Sequence, residues 1–222
     1  MKTVLVVAAH ADDEALGCGG TIARHVKEGD SVHLVLMADG VQSRTESSEA
    51  DFSRRTEASI HAQSILGILS TQSLELPDNK MDSVPLLEIV KKLESILEEI
   101  RPSVIYTHHH GDLNIDHRLT QAAVITACRP MPGSSVREIY GFEVLSSTEW
   151  ATQQGSPFLP DYFVDITQQL GTKLDALEAY AEEMREPPHS RSLAHAEVLA
   201  NHRGYSVGVD AAEAFEVYRI IR

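Results

Sequence analysis

The chain has 222 residues, 42 % of them hydrophobic, and a formal net charge of −14. This length fits one domain with a substantial core, and the acidic charge without a long basic cluster argues against nucleic acids and anionic membranes as partners. Two cysteines are too few for a disulfide framework, no stretch approaches the roughly 20 apolar residues that span a bilayer, and no signal-peptide pattern opens the chain, so we expect a cytoplasmic protein.

Strand and helix patterns alternate along the chain. In chain order they predict a strand at 3–9, a helix at Thr21–Glu28, a strand at Val32–Ala38, a surface loop at 40–51, a helix at Phe52–Leu66, a short strand at Leu74–Leu76, a helix at Pro85–Ile100, a strand at Val104–Thr107, a helix at His117–Cys128, a strand at Arg137–Leu145, an edge strand at Phe163–Ile166, helices at 167–185 and 190–203, and a strand at Ala214–Ile220. Repeated β–α units predict an α/β fold: a Rossmann-like, three-layer arrangement with a mostly parallel sheet, as a single domain over residues 1–222.

The first predicted strand ends in a histidine and three acids, His10, Asp12, Asp13 and Glu14. Side chains at the carboxyl end of a parallel strand face the crevice in which such sheets bind ligands. Imidazole and carboxylate groups are zinc ligands. The run therefore predicts a metal site with a spare carboxylate as base, although an aspartate here can also cap the following helix.

A third ligand has to come from elsewhere, because a catalytic zinc usually takes three protein ligands. The best source is the polar segment Asp112–Arg118, which follows the strand Val104–Thr107. His117 stands there beside Asp116, a carboxylate of the kind that orients a ligating histidine. The run His108-His109-His110 is a rival source.

The glycine-rich run Gly17-Cys18-Gly19-Gly20 follows these acids. It lacks the G-x-G-x-x-G spacing of a dinucleotide-binding turn. The run therefore predicts close backbone packing rather than a nucleotide site.

Two motifs resemble those of a known family. Ala9-His10-Ala11-Asp12-Asp13-Glu14 is similar to the A-H-P-D-D-E signature of the PIG-L/LmbE-like zinc-dependent N-acetylglucosaminyl de-N-acetylases, and Asn114-Ile115-Asp116-His117 is similar to their H-x-D-H element. Leu76–Asn79 and Arg55–Ala58 resemble further landmarks. The resemblance covers essentially the whole chain and implies an LmbE-like form of the fold predicted above.

The resemblance implies a zinc ion, or another divalent metal, held by His10, Asp13 and His117. It implies Asp12 as the general base, which takes a proton from a metal-activated water and passes it to the leaving amine. The implied substrate is a small N-acetylated amino sugar, in a glycoconjugate or a nucleotide-sugar intermediate. The alternatives are an amidase acting on another amide, such as a thiol-conjugate precursor, and a sugar-binding protein that retains zinc without turnover. The resemblance leaves a homo-oligomer open, and the lack of a long apolar stretch predicts no membrane insertion.

Two positions depart from the family pattern. Ala11 replaces a proline, which affects loop rigidity. Asn114 stands where many members carry a histidine that stabilises the tetrahedral intermediate, oriented by the aspartate matching Asp116. An asparagine amide can still donate to an oxyanion, so Asn114 and Asp116 join Asp12 as catalytic candidates, with a plain turn role as the alternative for Asn114.

Several polar side chains are candidates for substrate binding. Arginines near helix starts can hold anions. The alternatives are surface solvation of Arg54 and Arg55, and helix capping by Ser190 next to Arg191. Trp150 offers a stacking platform for a sugar or belongs to the core, and Glu213 is a weaker candidate for the site. The substrate-binding candidates are Arg54, Arg55, His108, His189 and Arg191.

Overall fold

A computed structural model of the chain describes residues 1–38, 49–152 and 156–222, without the side chains of residues 49–52. Most of the predicted loop at 40–51 lies outside these described residues. None of the helices within them is long and apolar enough to cross a membrane.

Within the described residues, seven strands form one sheet, which positions the residues considered below. They are β1 (Thr3–Ala8), β2 (Ser31–Ala38), β3 (Ser70–Leu76), β4 (Val104–His108), β5 (Glu138–Phe142), β6 (Tyr162–Asp165) and β7 (Ala212–Ile220). Their order across the sheet is β3-β2-β1-β4-β5-β7-β6. The first five strands pair in parallel, while β7 runs antiparallel to both β5 and β6. The predicted mostly parallel α/β sheet is confirmed.

Helices cover both faces of the sheet. They are α1 (Asp13–Lys27), α2 (Glu49–Leu66), α3 (Leu86–Ile100), α4 (Ile115–Ala127), α5 (Leu170–Ala179) and α6 (Leu193–Tyr205). Successive β1 side chains point to opposite faces. Val4 and Val6 join the core cluster that includes α1, α2, α5 and α6, whereas Leu5 and Val7 join the cluster that includes α3 and α4. The three-layer arrangement is therefore confirmed.

Some element boundaries differ from the prediction. Helix α1 begins at Asp13 rather than Thr21, because the glycine-rich run is helical except at Cys18, where φ is −148° and ψ is 24°. Strand β3 begins at Ser70 rather than Leu74, because its polar first residues lie on an exposed sheet edge and carry no apolar pattern.

The break in α1 is held by a buried ion pair. Lys173 Nζ donates to the carbonyl oxygen of Leu16, which lies in the last turn before the break. The Glu213 carboxylate accepts from the backbone N–H groups of Gly20 and Thr21 just after it, at 3.0 and 2.7 Å. The ammonium and carboxylate are 2.5 Å apart. Each charge thus faces the helix end of opposite polarity, and Glu213 serves the fold rather than the crevice.

The glycine-rich run packs closely, as its sequence predicts. A Cβ atom added at Gly17 would collide with the ring of Phe142, and one added at Gly20 would lie 2.7 Å from Ile166 Cδ1. These glycines therefore let α1 lie against β5 and the residue that follows β6.

We expect Gly17→Ala to destabilise the fold by about 1–3 kcal/mol, the usual cost of overfilling a packed core. The matched control is Gly171→Ala on α5, where an added Cβ meets no described atom within 4 Å. Because alanine favours helix over glycine, the control keeps or raises stability. Urea unfolding of both variants checks this expectation, and equal stabilities would contradict the packing argument.

Candidate metal centre and active site

The site lies where two neighbouring strands end. Strands β1 and β4 are paired in parallel, so the residues that follow them meet at one edge of the sheet. His10 and Asp13 follow β1, and His117 lies in the first turn of α4, after β4. The fold thus brings together two motifs that are far apart in sequence.

Three buried side chains converge around the Asp13 carboxylate. Its Oδ2 atom is 3.2 Å from His10 Nδ1 and 3.3 Å from His117 Nε2. It also accepts a hydrogen bond from the His10 backbone N–H, 2.8 Å away. His10, Asp13 and His117 each offer one ligand atom within 4.8 Å of the others, so together they can hold a metal ion.

The far nitrogen of each histidine faces another carboxylate. His10 Nε2 lies 3.2 Å from Asp116 Oδ2 and 3.3 Å from Asp78 Oδ1. His117 Nδ1 lies 3.1 Å from Asp112 Oδ1. Metal-ligating histidines commonly donate their second N–H to such a carboxylate. Here His10 Nε2 is within hydrogen-bond geometry of Asp116, whereas His117 Nδ1 is close to Asp112 without making a hydrogen bond to any described residue. The expectation that Asp116 supports His117 is wrong, because Asp116 faces His10 and Asp112 takes its place.

These outer carboxylates are themselves fixed. Asp112 accepts hydrogen bonds from the hydroxyls of Ser147 and Thr148, in the segment after β5. Asp116 accepts from the backbone N–H groups of Asn79 at 2.7 Å and Met81 at 3.1 Å. Loops from both halves of the chain therefore orient the two histidines.

The electrostatics of this cluster favour a bound cation. Burial opposes ionisation of Asp13, but His117 and His108 hold the pKa of its carboxyl well below the usual range. Burial opposes charging of His117, yet Asp13 and Asp112 raise its pKa to about 9. Buried carboxylates around two imidazoles thus attract positive charge, and the donor set fits a divalent metal.

His108 does not compete with His117 as a ligand. It is fully buried, and its Nε2 accepts the backbone N–H of Ala9 at 2.8 Å. Its ring stacks on that of His117 with centroids 4.0 Å apart. Because the side chain has no exposed surface, the structure places it behind the ligand and not in contact with a substrate.

Asp12 lies beside the three converging groups but has a different partner. Its backbone φ is 109°, and its side chain makes no capping hydrogen bond to α1. Instead Oδ2 lies 2.8 Å from a guanidinium nitrogen of Arg191. Burial raises the pKa of the Asp12 carboxyl to about 6, against the lowering effect of Arg191.

Glu14 supports this turn. Its Oε2 accepts the Asp12 backbone N–H at 3.1 Å, and its Oε1 accepts the Tyr180 hydroxyl at 2.6 Å. Left-handed backbone costs about 1–3 kcal/mol at a non-glycine residue unless its surroundings enforce it. The buried Glu14 carboxyl supplies part of that enforcement.

Asn114 is the N-cap of α4. Its Oδ1 accepts the backbone N–H of Asp116 at 2.8 Å, and its Nδ2 donates to Asn79 Oδ1 at 3.1 Å. An amide nitrogen carries two hydrogens, so the bond to Asn79 leaves a second donor on the same atom.

The substrate-binding candidates fall in different places. Arg191 contacts Asp12, and its Nε also donates to Ser146 Oγ at 2.9 Å. Arg55 acts electrostatically on Asp12 and lies 3.4 Å from Glu183. Arg54 is exposed and pairs with Glu182 on the surface.

His189 and Trp150 form an exposed aromatic pair. Trp150 is 49 % exposed, and its ring meets that of His189 edge to face, with centroids 5.5 Å apart. The segments that carry them are joined because the Ser190 hydroxyl donates to Glu149. Trp150 therefore lies on the surface rather than in the core.

Sequence reasoning missed Asp78 and the role of Asp112. Asp78 is within the Leu76–Asn79 landmark, and Asp112 opens the polar segment after β4, but neither signal specified a histidine partner. Both are buried next to the converging ligands.

These features define an α/β enzyme with a candidate metal centre, and comparison with known proteins gives its family. The chain belongs to the PIG-L family: residues 5–128 match the family model described as GlcNAc-PI de-N-acetylase. That range contains the three converging ligands and Asp12.

Two relatives illustrate the similarity in sequence. One is the "uncharacterized deacetylase YaiS" of Escherichia coli strain K12, 31 % identical over 81 % of this chain and 90 % of the relative. Another is a probable N-acetyl-alpha-D-glucosaminyl L-malate deacetylase of Bacillus cereus, 28 % identical over 86 % of this chain and 89 % of the relative.

Solved structures share the fold. The N,N'-diacetylchitobiose deacetylase of Pyrococcus horikoshii aligns with a TM-score of 0.78 and 22 % identity, over 98 % of this chain and 84 % of that one. The 4-carboxy-2-hydroxymuconate hydratase of Pseudomonas putida KT2440 aligns with a TM-score of 0.77 and 25 % identity, over 100 % and 99 %. The same architecture therefore occurs in a deacetylase and in a hydratase.

We expect Asp112→Asn to weaken zinc binding by about 10–100-fold, because the carboxylate behind His117 is lost while its shape is kept. Asp175→Asn, an exposed acid on α5, is the matched control and leaves affinity unchanged. Zinc titration against a chromophoric chelator measures both. An unchanged affinity in Asp112→Asn would show that this carboxylate does not orient the ligand.

Proposed function

We propose that this chain is a metal-dependent hydrolase that removes the acetyl group from a small N-acetylated amino sugar. His10, Asp13 and His117 hold a divalent metal, zinc in the first instance, and Asp12 is the general base. Relatives named as deacetylases of N-acetylglucosaminyl and diacetylchitobiose compounds support the choice of substrate class.

One observation carries the proposal: two adjacent carboxylates have separate partners. Asp13 faces the two histidines, whereas Asp12 is turned toward Arg191. Besides the metal ligands, a metal-assisted hydrolase needs a base that lies near the metal and is not itself a ligand. A site built only to bind a metal or a sugar has no use for this second buried carboxylate.

The mechanism follows from these positions. His10, Asp13 and His117 would hold the divalent metal, which would acidify a water molecule and polarise the acyl oxygen. Asp12 would take a proton from the water that attacks the acetyl carbonyl carbon and would deliver it to the departing amine, leaving acetate and a free amino sugar. Arg191 keeps Asp12 ionised and fixed in place, and Asn114 offers an N–H to the developing oxyanion.

The substrate side is formed by the segments near Arg191. The exposed Trp150–His189 pair offers ring faces and edges to a sugar, and Arg55 adds a cation near Asp12. The alternatives are hydrolysis of another amide, a protein that binds metal and sugar without turnover, and, since one relative is named a hydratase, water addition to a carbon–carbon double bond.

The direct test measures acetate release from a panel of N-acetylated amino sugars by the zinc-restored protein. The panel includes N-acetylglucosamine, its malate and inositol glycosides, and diacetylchitobiose, beside a simple N-acetyl amide and an unsaturated dicarboxylic acid. We expect turnover of at least one sugar. Failure to bind zinc, or turnover of the unsaturated acid alone, would overturn the proposal.

The variant Asp12→Asn separates the base from the ligands. Asparagine tolerates left-handed backbone well, so the turn is preserved. We expect zinc content equal to wild type and a kcat about 10²–10⁴-fold lower, the usual contribution of a general base. Full activity would mean that the base is another group.

The variant Asn114→Asp tests the oxyanion role. Aspartate caps a helix as well as asparagine but has no amide donor, so thermal stability is kept. We expect kcat to fall about 10²–10³-fold, as when one oxyanion donor is removed. Unchanged kcat would assign Asn114 to capping alone, and Asn114→Ala, which removes both functions, provides the comparison for stability.

A further inference from the structure

A second convergence of ligand-type atoms lies outside the candidate metal centre. His109 and His110 follow β4, and Glu216 lies on β7. Glu216 Oε2 is 2.7 Å from His109 Nδ1 and 3.7 Å from His110 Nδ1. Each residue offers a ligand atom within 4.8 Å of the other two, and none belongs to the first group.

We propose that His109, His110 and Glu216 form a second site for a divalent transition metal of the zinc type. Two imidazole nitrogens and one carboxylate oxygen suit such an ion, whereas Mg²⁺ and Ca²⁺ prefer oxygen ligands throughout. Bonds of about 2.0–2.1 Å in a tetrahedral site separate ligand atoms by about 3.3 Å. The two distances to Glu216 bracket that value, so small side-chain movements accommodate the ion.

Two of the proposed ligands are held from behind. His109 Nε2 donates to the carbonyl oxygen of Ser156 at 2.8 Å, and Glu216 Oε1 accepts the Leu159 backbone N–H at 2.9 Å. This is the support that ligating histidines and carboxylates have in metal sites. The Ser156 carbonyl and the His109 ring lie so close to Gly111 that a Cβ atom added at this glycine would collide with both.

The site is open on one side. His109 is almost fully buried and the Glu216 side chain is 12 % exposed, but the His110 side chain is 44 % exposed. An ion can enter there and keep water in its remaining position. The Tyr218 hydroxyl, 3.3 Å from Glu216 Oε2, adds a polar group beside it.

Metal binding at this site exchanges a proton. His109 Nδ1 faces Glu216 Oε2, and Nε2 faces the Ser156 carbonyl oxygen. Because a ligating imidazole gives its Nδ1 lone pair to the ion, a proton on Nδ1 leaves to solvent while the Nε2 proton stays in its bond to Ser156. No oxidation or reduction is involved.

Zinc stoichiometry tests the site. The full chain is stripped with a chelator, reloaded with Zn²⁺, passed through a desalting column and analysed for metal. We expect two equivalents in wild type and one in His110→Ala, whose exposed side chain can be removed without disturbing the core. Glu216→Gln, which keeps shape but loses charge, also retains one.

Two further variants keep the two sites distinguishable. His117→Ala loses the ion of the first site and retains one equivalent at the second, so failure of the proposed function leaves this result intact. His25→Ala, in a His25–Glu28–Asp30 group of similar composition, retains two. One equivalent in wild type that is lost in His117→Ala and kept in His110→Ala, or two equivalents that survive both His110→Ala and Glu216→Gln, would overturn the second site.

Discussion

The Asp13 carboxylate is the group around which the site is organised. It is buried and ionised, and a buried charge is tolerated only when partners compensate it. The compensation comes from His10 after β1 and from His117 on α4, while His108 stacks behind His117. Because these histidines follow two paired strands, satisfying one carboxylate also fixes how the ends of β1 and β4 meet. The negative outer ring of Asp78, Asp112 and Asp116 then makes the centre receptive to a cation.

Helix α1 begins with a short turn that carries Asp13, and it is kinked at Cys18 before it continues. The kink interrupts the backbone hydrogen bonds of the helix. Lys173 and Glu213 bind the carbonyl and N–H groups on its two sides. A buried ion pair is weak evidence for added stability. Here its geometry supports a conformational role: it ties the acid-bearing turn to α5 and β7.

The candidate ligands His10, Asp13 and His117 could be predicted from sequence because the ends of neighbouring parallel strands meet at one edge of the sheet. The carboxylates that face the two histidines could not be predicted. Asp116 and His117 are consecutive on α4, and consecutive helix residues do not face each other, so sequence proximity was misleading. The Asp12–Arg191 contact joins residues 179 positions apart, and no local pattern encodes it. The position of β7 between β5 and β6 likewise depends on tertiary packing, and the order of the strands in the chain does not reveal it.

The two neighbouring aspartates show how one motif yields two environments. Asp13 has helical backbone and faces imidazoles, while the left-handed backbone of Asp12 turns its carboxylate to a guanidinium. Environment, rather than residue type, separates the behaviour of paired carboxylates. The candidate metal ligands lie within the family match at residues 5–128, but Arg191, Tyr180 and Ser147 lie beyond it. The matched part of the chain therefore contains the converging side chains and Asp12, and the rest of the chain supplies side chains that contact Asp12, Glu14 and Asp112.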